Sequence, residues 1–215
     1  MIPAAGAEFR AWIASRLEPL DGEPADPEAF RSDFDLNDGR PSPDSLQPLA
    51  PASVLIGLVE REAGLSVILT RRADTLRRHT GQIALPGGRR DPGETAAQTA
   101  LREAQEEIGL DPSLVTLAGR STTYRTGTGF LITPVVGFVS SHLQLTPNPA
   151  EVAEIFETPF GFLMDPNNLE QHEREATPGQ RRRFYAFTHQ ERFIWGVTAG
   201  VLRALYQRLY GVEGA

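Results

Sequence analysis

The sequence predicts a mixed α/β domain, and three observations carry that expectation. Short runs rich in β-branched residues recur at 53–59 (SVLIGLV), 66–70 (SVILT) and 130–139 (FLITPVVGFV). Two segments, from Glu94 to Gly109 and over 193–210, carry helical patterning instead. The two kinds of segment do not alternate strand–helix–strand, which argues against a doubly wound parallel sheet. A chain of 215 residues that is 40% hydrophobic can bury one substantial core.

Taken in order, residues 7–20 place Phe9, Ile13 and Leu17 on one helical face. From about Asp21 to Pro51 the chain is dense in Pro, Asp and Gly, the composition of a connector or wrapping loop. The expected organisation is therefore an N-terminal helix and connector over 1–50 and the main domain over 51–215. The runs at 53–59 and 66–70 flank the turn-like EREAG and read as a hairpin. Arg71–Arg90 reads as a long loop dense in Arg and Gly, and the helix after it stops before Gly109. Leu114–Tyr124 and Phe130–Val139 read as strands on either side of RTGTG, with Val152–Glu157 a shorter one. The polar stretch 163–182 reads as a loop, Phe184–Phe187 as a last strand, and 193–210 as an amphipathic helix. That helix carries Trp195, Val201, Leu202 and Leu205, which would cover either the chain's own core or a second copy in a homodimer.

Charge and composition exclude several classes. A net charge of −7 argues against general nucleic-acid binding, which needs a basic face. No apolar run approaches the roughly 18 residues that span a bilayer. The N-terminus lacks a cationic start followed by an apolar block, so a cytoplasmic protein is expected. The absence of cysteine removes disulfides, thiolate zinc sites and thiol nucleophiles. Every basic residue is Arg, so any phosphate clamp must come from Arg, His and backbone N–H groups.

The segment Gly88–Leu110 carries the chemistry: GRRDPGETAAQTALREAQEEIGL. On a helix, Glu103 and Glu107 share a face and Glu106 flanks it. Three carboxylates so packed repel one another, and divalent cations would offset that repulsion through hard oxygen ligands. Gly88, Glu94, Arg102, Glu103, Ala104, Gln105, Glu106, Glu107, Ile108, Gly109 and Leu110 together resemble the Nudix box, with Ala104 where a larger aliphatic is usual. The resemblance implies the Nudix α/β/α sandwich, with a mixed sheet between helices, and hydrolysis of a nucleoside diphosphate derivative. It implies Glu103 and Glu107 as the principal ligands of Mg2+ (or Mn2+), Glu106 as a further ligand or a base, and the Gly88 carbonyl in the metal sphere. Arg102 would pair with Glu94.

The preceding residues sharpen the substrate. Ile68, Leu69, Thr70, Arg72, Ala73, Arg77, Gly81, Pro86, Gly87 and Gly88 resemble the signature of the coenzyme A pyrophosphatase branch, with Leu85 in place of its Phe. This resemblance implies coenzyme A or an acyl-CoA as the small-molecule substrate, cut to 3′,5′-ADP and 4′-phosphopantetheine. Arg72, Arg77, His79, Gln82 and Gly87 are the expected substrate contacts, since guanidinium forks and glycine N–H groups suit phosphate oxygens. For the general base the candidates are Glu106, Glu151 and Glu154. Rival readings are a Nudix hydrolase of ADP-ribose or another nucleoside diphosphate derivative, and a ligand-binding regulator on an inactive fold. His142, His172 and His189 have no company that suggests a metal-ligand set.

Overall fold

The computed structural model describes residues 6–21, 30–37, 49–74, 81–177 and 180–211. The chain runs through α1 (Gly6–Ala14), β1 (Arg31–Ser32), β2 (Ala50–Arg61), β3 (Gly64–Arg72), β4 (Ile83–Ala84) and β5 (Gly87–Arg89). It continues through α2 (Ala96–Ile108), β6 (Val115–Arg120), β7 (Tyr124–Arg125), β8 (Phe130–Val139) and β9 (Val152–Pro159). It ends with α3 (Phe160–Leu163), β10 (Glu170–Thr177), β11 (Gln180–His189), β12 (Arg192–Trp195) and α4 (Val197–Tyr210).

The expected hairpin is β2–β3, closed at Arg61↔Gly64. β2 also runs parallel to β8, from Ala50↔Phe130 to Val59↔Val139. β8 takes β6 and β7 antiparallel, and β7 takes β1 in parallel. On the other side, β3 pairs antiparallel with β4 and β9, while β5 pairs with β2. Among the described residues this is one mixed sheet of nine strands.

Both faces of the sheet are covered, which explains why its central strands read as unbroken apolar runs. In β2, Leu55 and Val59 join the cluster with Ala96, Ala100, Ala104 and Ile108 of α2. The alternate residues Ile56 and Leu58 join a second cluster on the opposite face, with Phe9 and Ile13 of α1 and Leu202 and Leu205 of α4. The result is the α/β/α sandwich. Ala104 is fully buried against the sheet, so its small side chain still serves the apolar stripe of α2. The apolar residues Val201, Leu202 and Leu205 of α4 cover the chain's own core. Among the described residues, no helix is long and apolar enough to cross a membrane.

Three expectations are corrected. The single strand expected over Leu114–Tyr124 is a 3-10 turn at Pro112–Leu114, then β6, then β7. Between β6 and β7 the strand opposite carries Pro134, which has no N–H to donate, and Ser121 N donates to its carbonyl instead. The stretch 163–182 is not a loop: β10 and β11 pair antiparallel and, with β12, build a separate three-stranded sheet. Its outer rungs are ionic on both sides, such as Glu173↔Arg183 and Arg174↔Arg182, so no apolar alternation betrays the strands. The last helix starts at Val197 rather than 193, because Trp195 completes β12 and Gly196 turns the chain at φ +65. It is buried on most sides, and Gly200 gives it close approach to the ring and hydroxyl of Tyr124.

Candidate active site

The site is built where α2 meets β5. Thr95 starts the helix with a reciprocal cap: Gln98 N donates to its hydroxyl at 3.2 Å, and Thr95 N donates to Gln98 Oε1 at 2.8 Å. Gly109 ends the helix in the left-handed conformation at φ 66, where a side chain would be strained. Those two ends fix the rotation of α2, and with it the direction of its carboxylates.

Glu103 and Glu107 point inward and Glu106 points out. Their side chains are 15%, 5% and 54% exposed, respectively. Gly87 N donates to Glu107 Oε2 at 3.1 Å, and Arg72 Nη1 lies 3.9 Å from its other oxygen. Gly88 packs so closely on Glu103 that a Cβ would land on the carboxylate. Gly87 likewise lies against the backbone of Ser53 and Val54. The two glycines thus let β5 pass between β2 and the helix carboxylates.

Arg102 ties this arrangement together. Its guanidinium donates to both oxygens of Glu94, at 2.8 and 3.1 Å. It also donates to Glu103 at 2.9 Å, Glu106 at 3.0 Å and the Arg89 carbonyl at 3.2 Å. The Arg102 bond, followed by those from Thr99 and Asp91, holds the Glu94 carboxyl down at about 2. Glu103 is pushed the other way, chiefly by burial. Burial pushes Glu107 up to about 7, against the bond from Gly87 and the charge of Arg72.

A divalent cation fits this donor set. Two desolvated carboxylates that already resist ionisation are hard oxygen donors whose charge a cation would stabilise. Among the described residues, no three acidic or histidine side chains yet converge on one point. Arg102 draws Glu103 and Glu106 to itself, so their turn toward a cation would mean exchanging those bonds.

Beside the carboxylates opens a cavity of about 330 Å³. Arg72, Gln82 and Gly87, three of the expected substrate contacts, line it. The Nε of Arg72 is buried and, among the described residues, has no hydrogen-bond partner. Arg77 and His79 lie outside the described residues. Glu154 is brought elsewhere. It lies opposite Arg71 in the β3–β9 ladder, its carboxylate 3.6 Å from Arg71 and 2.5 Å from Arg192, which caps Phe156 on the face away from α2. The cause is strand alternation after the bulge at Arg71/Arg72, which turns Ile155 rather than Glu154 toward the α2 side. Half-buried Glu151 is the neighbour whose charge raises both Glu103 and Glu107.

Other cavity walls escaped the sequence reading: Asp33, the turn Thr126–Thr128, and Arg174, Arg182, Phe184 and Trp195 of the second sheet. The available signal was the Pro-Gly dipeptide at 178–179, which marks a hairpin; counted from it, Arg182 would face Glu175, and only the register shift between Glu175 and Thr177 sets it opposite Arg174.

The NUDIX domain family matches residues 49–187. A Photorhabdus laumondii protein named "Uncharacterized Nudix hydrolase NudL" is 39% identical over 145 residues, 67% of this chain and 77% of that protein. A Yersinia pestis protein of the same name is 39% identical over 162 residues, 74% of this chain and 79% of its own. Among solved structures, the Nudix hydrolase RenU from M. smegmatis is 28% identical, covering 52% of this chain and 71% of that one at a TM-score of 0.46. The chain belongs to the Nudix family and is a pyrophosphohydrolase, an enzyme acting on a small-molecule substrate.

Proposed function

We propose that the enzyme hydrolyses the diphosphate of coenzyme A or an acyl-CoA, with Mg2+ or Mn2+ held by Glu103 and Glu107 and supplemented by Glu106 and the Gly88 carbonyl. The observation that carries the reading is the placement of Arg72, Gln82 and Gly87: they line the cavity, and two of them also meet Glu107. A diphosphate lodged there would meet the part-exposed guanidinium of Arg72. The remaining cavity offers room and apolar wall for the rest of a large nucleotide substrate.

When bound, the cation would supply charge to the phosphoryl oxygens and to the attacking water. Arg102 would hold Glu94 and steady the loop behind the site. Water would attack one phosphorus, the P–O–P bridge would break, and the bridging oxygen would leave with the other phosphate. Glu151 is the carboxylate we assign to take the water's proton, because its turn is tied to α2 where Asn148 N donates to the Glu107 carbonyl at 2.9 Å, and to the end of β3 where Ala73 N donates to the Glu151 carbonyl at 2.8 Å. Glu106, at the exposed edge, is the second candidate. The protein would act as a cytoplasmic enzyme.

The test is a panel of coenzyme A, acetyl-CoA and ADP-ribose, with magnesium or with chelator, read by mass spectrometry. The coenzyme A forms should be cut fastest, and only with the cation. Faster turnover of ADP-ribose would overturn the substrate reading while leaving the family assignment in place.

A further inference from the structure

The second sheet has two faces with different duties. Tyr185, Phe187 and Ile194 point into the core. The alternate set, Arg174, Arg182, Phe184 and Trp195, lines the cavity. Arg174 and Arg182 sit directly opposite each other in the β10–β11 ladder. Like charges placed directly across a ladder repel and weaken it.

The local surroundings orient these two cations without neutralising them. The guanidinium of Arg174 stands 5.0 Å from the Trp195 ring centre, and that of Arg182 stands 5.3 Å from the Phe34 ring centre. Among the described residues, no carboxylate lies within ion-pair distance of either. Asp33 acts on Arg182 from farther away, and its oxygens already accept from Tyr124 at 2.9 Å and Gly127 at 2.8 Å. Arg182 also lies against Gly127, where a Cβ would come within 3.2 Å of its Nη1. Two guanidinium forks therefore share one cavity wall with a net excess of positive charge.

We propose that Arg174 and Arg182 form a subsite for a phosphate monoester carried by the substrate in addition to its diphosphate. A phosphate monoester brings up to two negative charges and three acceptor oxygens, which match two opposed forks. Trp195 and Phe184 beside them, their rings tilted by 58°, offer aromatic surface to the attached nucleoside. The proposal rests on the diphosphate being cut at the end of the cavity lined by Arg72 and Gly87, the two lining residues that meet Glu107. It places recognition of that extra phosphate on the second sheet, apart from Arg72, Gln82 and Gly87.

The experiment compares the full chain with the double variant R174Q/R182Q, using 3′,5′-ADP and 5′-AMP as competing inhibitors of hydrolysis of the best substrate in the panel. In the parent enzyme, 3′,5′-ADP should inhibit at a concentration about tenfold lower than 5′-AMP, and the double variant should lose that preference. The variant should melt at the same temperature as the parent or higher, since the opposed charges are gone. A preference retained in the folded variant would overturn the proposal, as would its absence from the parent. A variant that melts several degrees lower would also overturn it, by showing that the pair is structural. If coenzyme A is not cut but the preference exists and depends on the pair, the subsite stands and the substrate reading fails. If coenzyme A is cut and the preference is absent, the subsite fails alone.

Discussion

The backbone N–H of Gly87 donates to Glu107 at 3.1 Å, so the strand that borders the cavity also grips the most buried carboxylate of α2. That bond lowers the carboxyl, but burial outweighs it and leaves Glu107 at about 7, against 4.5 for an ordinary glutamate.

A pH dependence follows from this. Because the folded state holds the proton more tightly than the unfolded chain, the contribution of Glu107 to stability is complete below about pH 4.5. It is lost as pH rises through 7. The metal-free protein should lose on the order of 3 kcal/mol across that window, and Glu107→Gln should flatten the slope. Thermal melts from pH 5 to 8, with chelator, check both. The same variant should cut turnover by about 100-fold or more, because an amide cannot replace an ionised ligand.

Gly88→Ala should damage the site through space alone. The added methyl would land on the Glu103 carboxylate, so either the strand or the glutamate must move. Overpacking of this kind costs about 1–3 kcal/mol. Turnover should fall by about tenfold or more with the fold retained, as read by steady-state kinetics beside a melt.

Arg102→Lys separates charge from geometry. A lysine keeps the positive charge but cannot reach both oxygens of Glu94 while also serving Glu103 and Glu106. Glu94 is held at about 2 chiefly by Arg102, so its pairing adds stability above pH 4.5 that is lost as pH falls through 2. The variant should melt a few degrees lower at neutral pH and show a shallower loss in acid. An unchanged acid profile would show that the guanidinium fork is not what holds Glu94.

Much of this arrangement was legible in the sequence because it rests on local spacing. The helix from Thr95 to Gly109 and the shared face of Glu103 and Glu107 follow from one 23-residue segment, and the Arg102–Glu94 pair from that segment's resemblance to the Nudix box. The central strands were legible because burial on both faces demands unbroken apolar runs such as 53–59. The second sheet was not. Its strands carry charged residues on both faces at the hairpin end, Glu173, Arg183, Glu175 and Arg181 on one and Arg174 and Arg182 on the other, and a pattern without an apolar side reads as loop. The direction of Glu154 was hidden for another reason: a bulge opposite Arg71/Arg72 shifts the alternation by one residue, and only the paired strand reveals it.

The most direct test of the central claim is product analysis of coenzyme A turned over with magnesium in 18O-labelled water. The account predicts 3′,5′-ADP and 4′-phosphopantetheine, with one 18O atom on the phosphate of only one of them, and no products from the chelated enzyme. Coenzyme A left intact under conditions where ADP-ribose is cut, or cleavage anywhere outside the diphosphate, would contradict it.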